Sequence, residues 1–206
     1  MPESRHFYEP SQGHGLAHDP FNSIVAPRPI GWVSSRDSDG ALNLAPYSFF
    51  NAFNYRPPIV GFSSIGYKDS VRNMAATRSF CWSLATRSLA EAMNETSAPV
   101  TPDVNEFQLA GLTPRLSQVI EVPHVAESPV SFECAVTQVV QLKDAGGGDL
   151  DTHVVFGEVV GVHIDSDLIQ DGVYDTVAAQ PIMRGGGLAD YFTISEEARF
   201  RMNRPE

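Results

Sequence analysis

The stretch PRPIGWVSSRDSDGALNLAPYSFFNAFNYRPPIVGFSS, residues 27–64, decides the fold. Its first prolines confine the start to irregular or edge structure, after which Ile30, Trp32 and Ser34 fall on one face of a strand. Residues 37–40, DSDG, supply turn residues, and further apolar runs follow at 41–53 and 57–64. The pattern predicts consecutive antiparallel strands.

The second half of the chain contains a long hairpin pattern. SFECAVTQVVQLK (131–143) and THVVFGEVVGVHI (152–164) alternate apolar and polar residues on either side of a glycine-rich turn, and SFCWSLA (79–85) is another apolar strand. Six or more antiparallel strands with few, short helices predict a closed or nearly closed Greek-key barrel. We expect one domain over residues 1–206, with residues 1–22 as an N-terminal arm.

The charge distribution limits the partners. The net charge is −11, which argues against nucleic acid or an anionic membrane as the main partner. Residues 1–90 nevertheless carry eight basic and six acidic side chains, so a small anionic ligand should bind the first half.

No apolar run is long enough to span a bilayer, and the start lacks a secretory pattern. Cys81 and Cys134 fall in predicted strands, which favours buried thiols and a cytoplasmic location.

One loop carries anion-binding chemistry. SSIGYKDSVRN (63–73) places Ser63, Ser64, Lys68 and Ser70 before and at the start of a predicted helix, where free backbone N–H groups favour an anion. Hydroxyls, an ammonium group and free backbone amides together predict a phosphate-binding loop, which we call the phosphate clamp. The alternative is a solvated helix start capped by Ser70 or Asp69.

The preceding strand carries flat apolar groups and hydroxyls. The residues concerned are Pro46, Tyr47, Ser48, Phe49 and Phe50. This mixture suits a planar heteroaromatic ring. The alternative is that the aromatic residues belong to the core. Their density in YSFFNAFNY (47–55) also favours an apolar patch for a partner subunit.

The ordered motifs PRPI, WVSS, DG, N-x-APYSFF, PP, SS and KDS, followed by FGEV (156–159) and PIMRGGG, extend over most of the chain. With them the sequence resembles the flavin reductase-like family of FMN-binding split-barrel proteins, the group that includes flavoredoxin. The resemblance implies a mainly β fold, a six-stranded antiparallel Greek-key split barrel with short peripheral helices. It also implies a homodimer with one FMN per subunit, in a groove that the partner subunit helps to close.

The resemblance implies roles for individual residues. The flavin ring and ribityl chain would lie along Asn43, Ala45, Pro46, Tyr47 and Ser48, with Ser34 nearby on the paired strand. The phosphate would be held by the same loop as the predicted clamp, at Ser63, Ser64, Lys68 and Ser70.

Three further residues leave alternatives open. Many family members carry a histidine five residues before the FGEV-like glycine; here Thr152 stands there and His153 follows, so His153 is either a catalytic candidate or an ordinary strand histidine. Glu158 points into the barrel, or a bulge at Gly157 turns it outward. Arg184 reaches the cofactor or the nicotinamide phosphates, or is a surface arginine. HGLAH (14–18) lacks helical context and a third ligand, so we expect no metal site.

The expected function is that of an FMN-binding oxidoreductase, an NAD(P)H-dependent flavin reductase-like enzyme (EC 1.5.1-like). Hydride from NADH or NADPH would pass to the flavin, and electrons onward to free flavin, a partner monooxygenase or other acceptor protein, or a small acceptor. No G-x-G-x-x-G follows a strand, so a reduced nicotinamide would not dock in a dinucleotide-binding domain. The resemblance implies that it stacks directly on the flavin instead. The alternatives are a flavoredoxin-like electron carrier, a non-catalytic flavin-binding module and, least favoured, a histidine-dependent metallohydrolase.

Overall fold

The computed structural model describes residues 5–205, so residues 1–4 of the predicted arm and residue 206 lie outside the described residues. The strands are β1 Arg28–Pro29, β2 Gly31–Arg36, β3 Leu42–Tyr47, β4 Phe50–Tyr55, β5 Pro58–Ile65, β6 Ser79–Ser83, β7 Pro114–Arg115, β8 His124–Val125, β9 Val130–Lys143, β10 Asp149–Ile164, β11 Ile169–Gln170, β12 Val173–Tyr174, β13 Ile182–Arg184 and β14 Tyr191–Thr193. The α-helices are α1 Phe21–Ile24, α2 Asp69–Thr77, α3 Ala90–Glu95 and α4 Glu106–Leu109. Short 3₁₀ turns cover Pro10–Gln12, Ser166–Leu168 and Glu196–Ala198.

The main sheet is antiparallel and has the strand order β3-β2-β6-β9-β10-β5-β4. Its two edge strands, β3 and β4, are consecutive in the chain and are separated only by Ser48 and Phe49. Counted as one bent strand, they bring the sheet to six strands whose edges meet at this bend. This confirms the six-stranded Greek-key split barrel, and it corrects the expectation of one unbroken strand over 41–53.

The core has two parts, one on each face of β2. Inside the barrel, Val33, Phe62, Phe80 and Val155 are fully buried or nearly so. Outside it, a second cluster that includes Trp32 packs against α3 and α4, and the Trp32 indole N–H donates to Thr96 Oγ1 at 3.0 Å. Helices α3 and α4 therefore hold the outer surface of β2 and β3 in place.

The two cysteines are free and buried, as predicted. Burial raises the pKa of the Cys81 thiol to about 12, so it stays protonated at neutral pH. None of the helices within residues 5–205 has the length and apolar character needed to cross a lipid bilayer.

The predicted hairpin is formed by β9 and β10. Its register shifts between Phe156 and Gly157, which is the bulge that the sequence left as one alternative. A Cβ on Gly157 would lie 2.4 Å from Phe80 Cε1, so this position admits only glycine without movement of its neighbours. Glu158, one residue later, is half-buried.

Candidate functional site

The free edge of β3 borders a cavity. The Leu44 N–H points away from β2 and donates to Glu106 Oε2 at 3.1 Å, while Pro46 on the same edge has no N–H to leave unpaired. The cavity has a volume of about 360 Å³, within the usual range for small-molecule sites. It is lined by Asn43, Ala45, Pro46, Tyr47, Lys68, Asp69, Ser70, Thr96, Ser97, Ala98, Pro99, Val100 and Glu106.

A polar network connects β3, β5 and α2 at this cavity. The Asn43 side-chain amide donates to Ser70 Oγ at 2.9 Å, and the Tyr47 hydroxyl interacts with the Ser70 and Ser64 hydroxyls. Ser64 Oγ also donates to the Gly66 carbonyl at 3.0 Å. Burial raises the pKa of the Tyr47 phenol despite these contacts, so it remains a neutral hydroxyl. This network thus brings together four of the predicted site residues. The two that are most distant in the chain, Asn43 and Ser70, are 27 positions apart.

Lys68 stands at the start of α2 in an exposed position. It is the N-cap residue, and no side chain caps the helix. The expectation that Asp69 or Ser70 caps it is wrong, because both belong to the first turn: Asp69 pairs with Arg72 at 2.6 Å, and Ser70 bonds Asn43. Among residues 5–205, no side chain caps the first-turn N–H groups and no carboxylate forms an ion pair with Lys68.

Glu106 is a cavity residue that the sequence reasoning missed. Its side chain is buried on α4 and accepts a hydrogen bond from the Leu44 N–H of the distant edge strand. Burial, followed by the nearby Asp69 charge, raises the pKa of this carboxyl. The local pattern around residue 106 gives no signal for this contact, since α4 reaches β3 only through the packing of the outer cluster.

The bend between β3 and β4 separates this cavity from a second one. The Ser48 carbonyl accepts from Arg28 Nε at 3.1 Å, and the Phe49 carbonyl accepts from the Ser63 N–H at 2.8 Å. The second cavity, of about 610 Å³, is mainly apolar. It is lined by Phe21, Ile24, Val25, Ala26, Pro27, Arg28, Pro29, Phe49, Phe50, Asn51, Phe53, Phe62, Ser63, Val154 and Phe156.

Three of the sequence-predicted residues lie apart from the β3 cavity. Ser63 lines the second cavity, on the opposite face of β5 from Ser64. Ser34 is buried, and its hydroxyl donates to the Pro123 carbonyl at 2.6 Å. The Arg184 guanidinium donates to the Asp190 and Leu188 carbonyls and lies 4.9 Å from the Tyr191 ring centroid.

His153 lies at the Ser64 end of the network. It is the cross-strand partner of Ser64, and its ring centroid is 5.0 Å from that of Tyr67. Its Nδ1 is buried and has no hydrogen-bond partner within the described chain. His153 is not among the residues that line the β3 cavity or the second cavity, and its Nδ1 is shielded by the surrounding protein.

An antiparallel split barrel with a hydroxyl-rich cavity along one edge strand is a ligand-binding architecture, and similarity to known proteins identifies its family. Residues 24–181 match the family described as "Flavin reductase like domain". The chain belongs to this flavin reductase-like family, as the sequence resemblance predicted.

Relatives cover most of the chain. An uncharacterized protein of Aquifex aeolicus (strain VF5) is 36% identical over 170 residues, which are 80% of this chain and 83% of that protein. Nitrilotriacetate monooxygenase component B from Bacillus cereus has a similar structure, with a TM-score of 0.81, 30% identity, and coverage of 91% of this chain and 98% of that one. Pseudomonas fluorescens 2-nitrobenzoate 2-nitroreductase NbaA has a TM-score of 0.78 and 27% identity, and covers 90% of this chain and 88% of its own. Flavoredoxin of Desulfovibrio vulgaris (Miyazaki F) shares the fold, at a TM-score of 0.73 and 20% identity over 84% of this chain and 89% of its own.

Proposed function

We propose that the chain binds FMN in the β3 cavity and acts as an NAD(P)H-dependent flavin oxidoreductase. The observation that carries this proposal is the meeting of Lys68, Ser70 and the uncapped start of α2 with the free edge of β3 in one cavity. Cation, hydroxyl and free N–H groups suit a phosphate, and the strand edge with Tyr47 suits the polyol and ring.

The residues present fit FMN. The phosphate would be held by Lys68 and Ser70, which line the cavity, and Ser64 belongs to the same polar network through Tyr47. Asn43 and Tyr47 would line the flavin, with Ala45 and Pro46 beside it and Ser48 following at the bend after β3. When bound, FMN supplies the redox chemistry, because its ring accepts a hydride and later releases the electrons.

His153 is proposed to hold a hydrogen bond rather than to face the donor. It lies beside Ser64, on the face of β10 opposite to Val154, which lines the apolar cavity. To accept from or donate to the flavin's polar tail, the imidazole would have to turn its shielded Nδ1 toward the β3 cavity.

The apolar cavity is the proposed place for the nicotinamide ring of NADH or NADPH, or for a planar acceptor. Its walls include the Phe49, Phe53 and Phe156 rings, and it begins at the same bend that ends the β3 cavity. Aromatic walls suit a flat ring. Because the two cavities meet at Ser48 and Phe49, the nicotinamide and the flavin would approach each other there.

A homodimer is proposed for the rim of this apolar cavity. Ile24, Phe53 and Tyr55 are exposed there or beside it, at 71%, 57% and 80% of their surfaces. Large apolar side chains grouped on one surface favour association, and a partner subunit would close the groove. Sedimentation of the purified protein at several concentrations tests this, with Phe53→Asp expected to shift the population toward monomer.

The electrons would pass to free flavin, a small acceptor or a partner monooxygenase, the last supported by the similarity to a monooxygenase component B. A cytoplasmic location is part of the proposal and accords with the two free cysteines.

The test is to purify the protein, identify any heat-released flavin by chromatography, and mix the FMN-loaded protein with NADH or NADPH without oxygen. Rapid bleaching of the flavin absorbance supports a reductase. Bound flavin that stays oxidised with both nicotinamides but is reduced by dithionite would instead indicate the electron-carrier alternative. Absence of flavin binding would contradict the whole proposal.

A further inference from the structure

Arg28 is a buried cation without a counter-ion. Only 8% of the residue is exposed, and within residues 5–205 no carboxylate lies at ion-pair distance from it. The guanidinium instead donates to backbone carbonyls of three separate segments. These are Asn22 and Val25 at α1, Ser48 at the β3–β4 bend at 3.1 Å, and Gly185 after β13 at 3.2 Å.

A second arginine makes this arrangement still less favourable. Arg184 is the direct cross-strand partner of Arg28, and like charges directly opposite each other destabilise a sheet. Burial and then the Arg184 charge lower the pKa of Arg28. Unpaired buried charge costs stability, and proteins keep such local conflicts mainly where function needs them.

The positive charge is located at the bend that ends the proposed flavin cavity. Arg28 Nε holds the carbonyl of Ser48, the residue directly after Tyr47, and its guanidinium carbon lies 5.5 Å from the Phe49 ring centroid. Any change at Arg28 therefore acts on the position of this bend and on the electrostatic potential beside it.

Flavin reduction adds negative charge at such a site. Hydride transfer from NADH or NADPH would bring one proton and two electrons and would leave the oxidised nicotinamide, so a bound flavin would carry one more negative charge until it took up a proton. A fixed cation in a poorly solvated position stabilises that charge.

We propose that Arg28 is a positioning residue that holds the Ser48 bend against the bound flavin and makes the flavin easier to reduce. The inference rests on the proposed FMN function and adds to it a determinant of the reduction potential.

The experiment compares FMN-loaded wild type with Arg28→Gln, Arg28→Lys and a control, Arg36→Gln. Arg36 lies on the barrel strand β2, whereas Arg28 lies on β1 in a separate small sheet, and Arg36 forms a surface ion pair with Glu121 at 3.0 Å. The control therefore removes the same net charge elsewhere. The flavin midpoint potential is measured against reference dyes, together with FMN affinity and thermal unfolding.

At a fixed dye potential, Arg28→Gln should lower the ratio of reduced to oxidised flavin about tenfold, which is about 30 mV for a two-electron couple. Arg28→Lys should recover part of that ratio, and Arg36→Gln should leave it unchanged. A folded, FMN-binding Arg28→Gln protein with the wild-type potential would overturn the inference. If Arg28→Gln does not fold, Arg28→Lys decides, because lysine keeps the charge but cannot reach the carbonyls of all three segments, so its potential should still lie below that of wild type. A wild-type potential in Arg28→Lys then overturns the inference. Wild type that binds no FMN would instead contradict the proposed function itself.

Discussion

The side-chain amide of Asn43 donates to the hydroxyl of Ser70 across 2.9 Å, and this bond joins the barrel's edge strand to the first turn of α2. The bond is buried, and the Tyr47 hydroxyl lies near the same Ser70 side chain. Helix α2 is thereby fixed behind the cavity, with Lys68 at its start on the exposed side.

Lys68→Ala should weaken FMN binding about tenfold and riboflavin binding much less, because only FMN carries a phosphate for the ammonium group. Fluorescence titration of both flavins measures the difference. Lys143→Ala, which removes an exposed lysine that pairs with Asp149, is the matched control and should change neither affinity. Equal losses for both flavins in Lys68→Ala would refute the clamp.

Ser70→Ala should weaken FMN binding and also destabilise the fold by about 1–3 kcal/mol, because the Asn43 amide and the Tyr47 hydroxyl lose a buried partner. Urea unfolding without flavin separates the two effects. A variant as stable as wild type would show that the network carries little of the link between β3 and α2.

Much of this fold could be predicted, because the strand pattern and turn chemistry are local. At the turn before β3, Gly40 has φ +94° and the Asp37 carboxylate accepts from the Asp39 and Ala41 N–H groups, as the DSDG sequence indicates. The break at Ser48 carries no comparable signal, since neither a glycine nor a proline marks it. It depends on Arg28 and Ser63, which reach its carbonyls from other segments.

The site could be predicted only in part, because some of its contacts join segments that are distant in the sequence. Asn43, Tyr47, Lys68 and Ser70 lie in two short motifs and meet in one cavity. Glu106 lines that cavity through a contact with Leu44, 62 positions earlier, which no local pattern shows.

Glu106→Gln should alter the pH dependence of stability. Burial raises the pKa of this carboxyl above its unfolded value of about 4.3. The stability that the protonated Glu106 carboxyl gives the folded state is therefore fully present below that pH and is lost as pH rises through the folded pKa. The variant should therefore gain stability over wild type as pH rises, by up to about 1.4 kcal/mol per unit. Urea unfolding from acid to neutral pH measures it, and a constant difference would contradict the assignment.

Glu133→Gln should destabilise the protein most at neutral pH, so its stability difference from wild type should change with pH in the opposite direction to that of Glu106→Gln. The Glu133 carboxylate is buried, accepts the Gln118, Val119 and Ile120 N–H groups and contacts His163 at 2.6 Å. Although burial opposes ionisation, these hydrogen bonds lower its pKa to about 2.

The stabilisation from Glu133 is present above the unfolded pKa of about 4.3 and is lost as pH falls toward the folded value. We expect Glu133→Gln to cost about 2–4 kcal/mol at neutral pH, with a smaller difference in acid. Glu121→Gln, at an exposed ion pair, is the control and should change stability little. A neutral-pH loss no larger than the control's would contradict this account of the carboxylate.

Gly157→Ala should destabilise the barrel by about 1–3 kcal/mol, because the new Cβ would overlap the Phe80 ring. Phe80→Leu in the same chain should recover part of the loss, as judged by thermal unfolding. Gly146→Ala, in the exposed hairpin turn, should cost less. If the two alanine variants melt alike, the close packing at the bulge is not a determinant of stability.

The central claim, that FMN binds along β3 with its phosphate at Lys68 and Ser70, is tested most directly by titrating the purified wild-type protein into FMN and following the flavin fluorescence. The account predicts saturable quenching at about micromolar protein, one flavin per chain, with riboflavin bound more weakly. Fluorescence that stays unchanged at that concentration, or riboflavin bound as tightly as FMN, would contradict it.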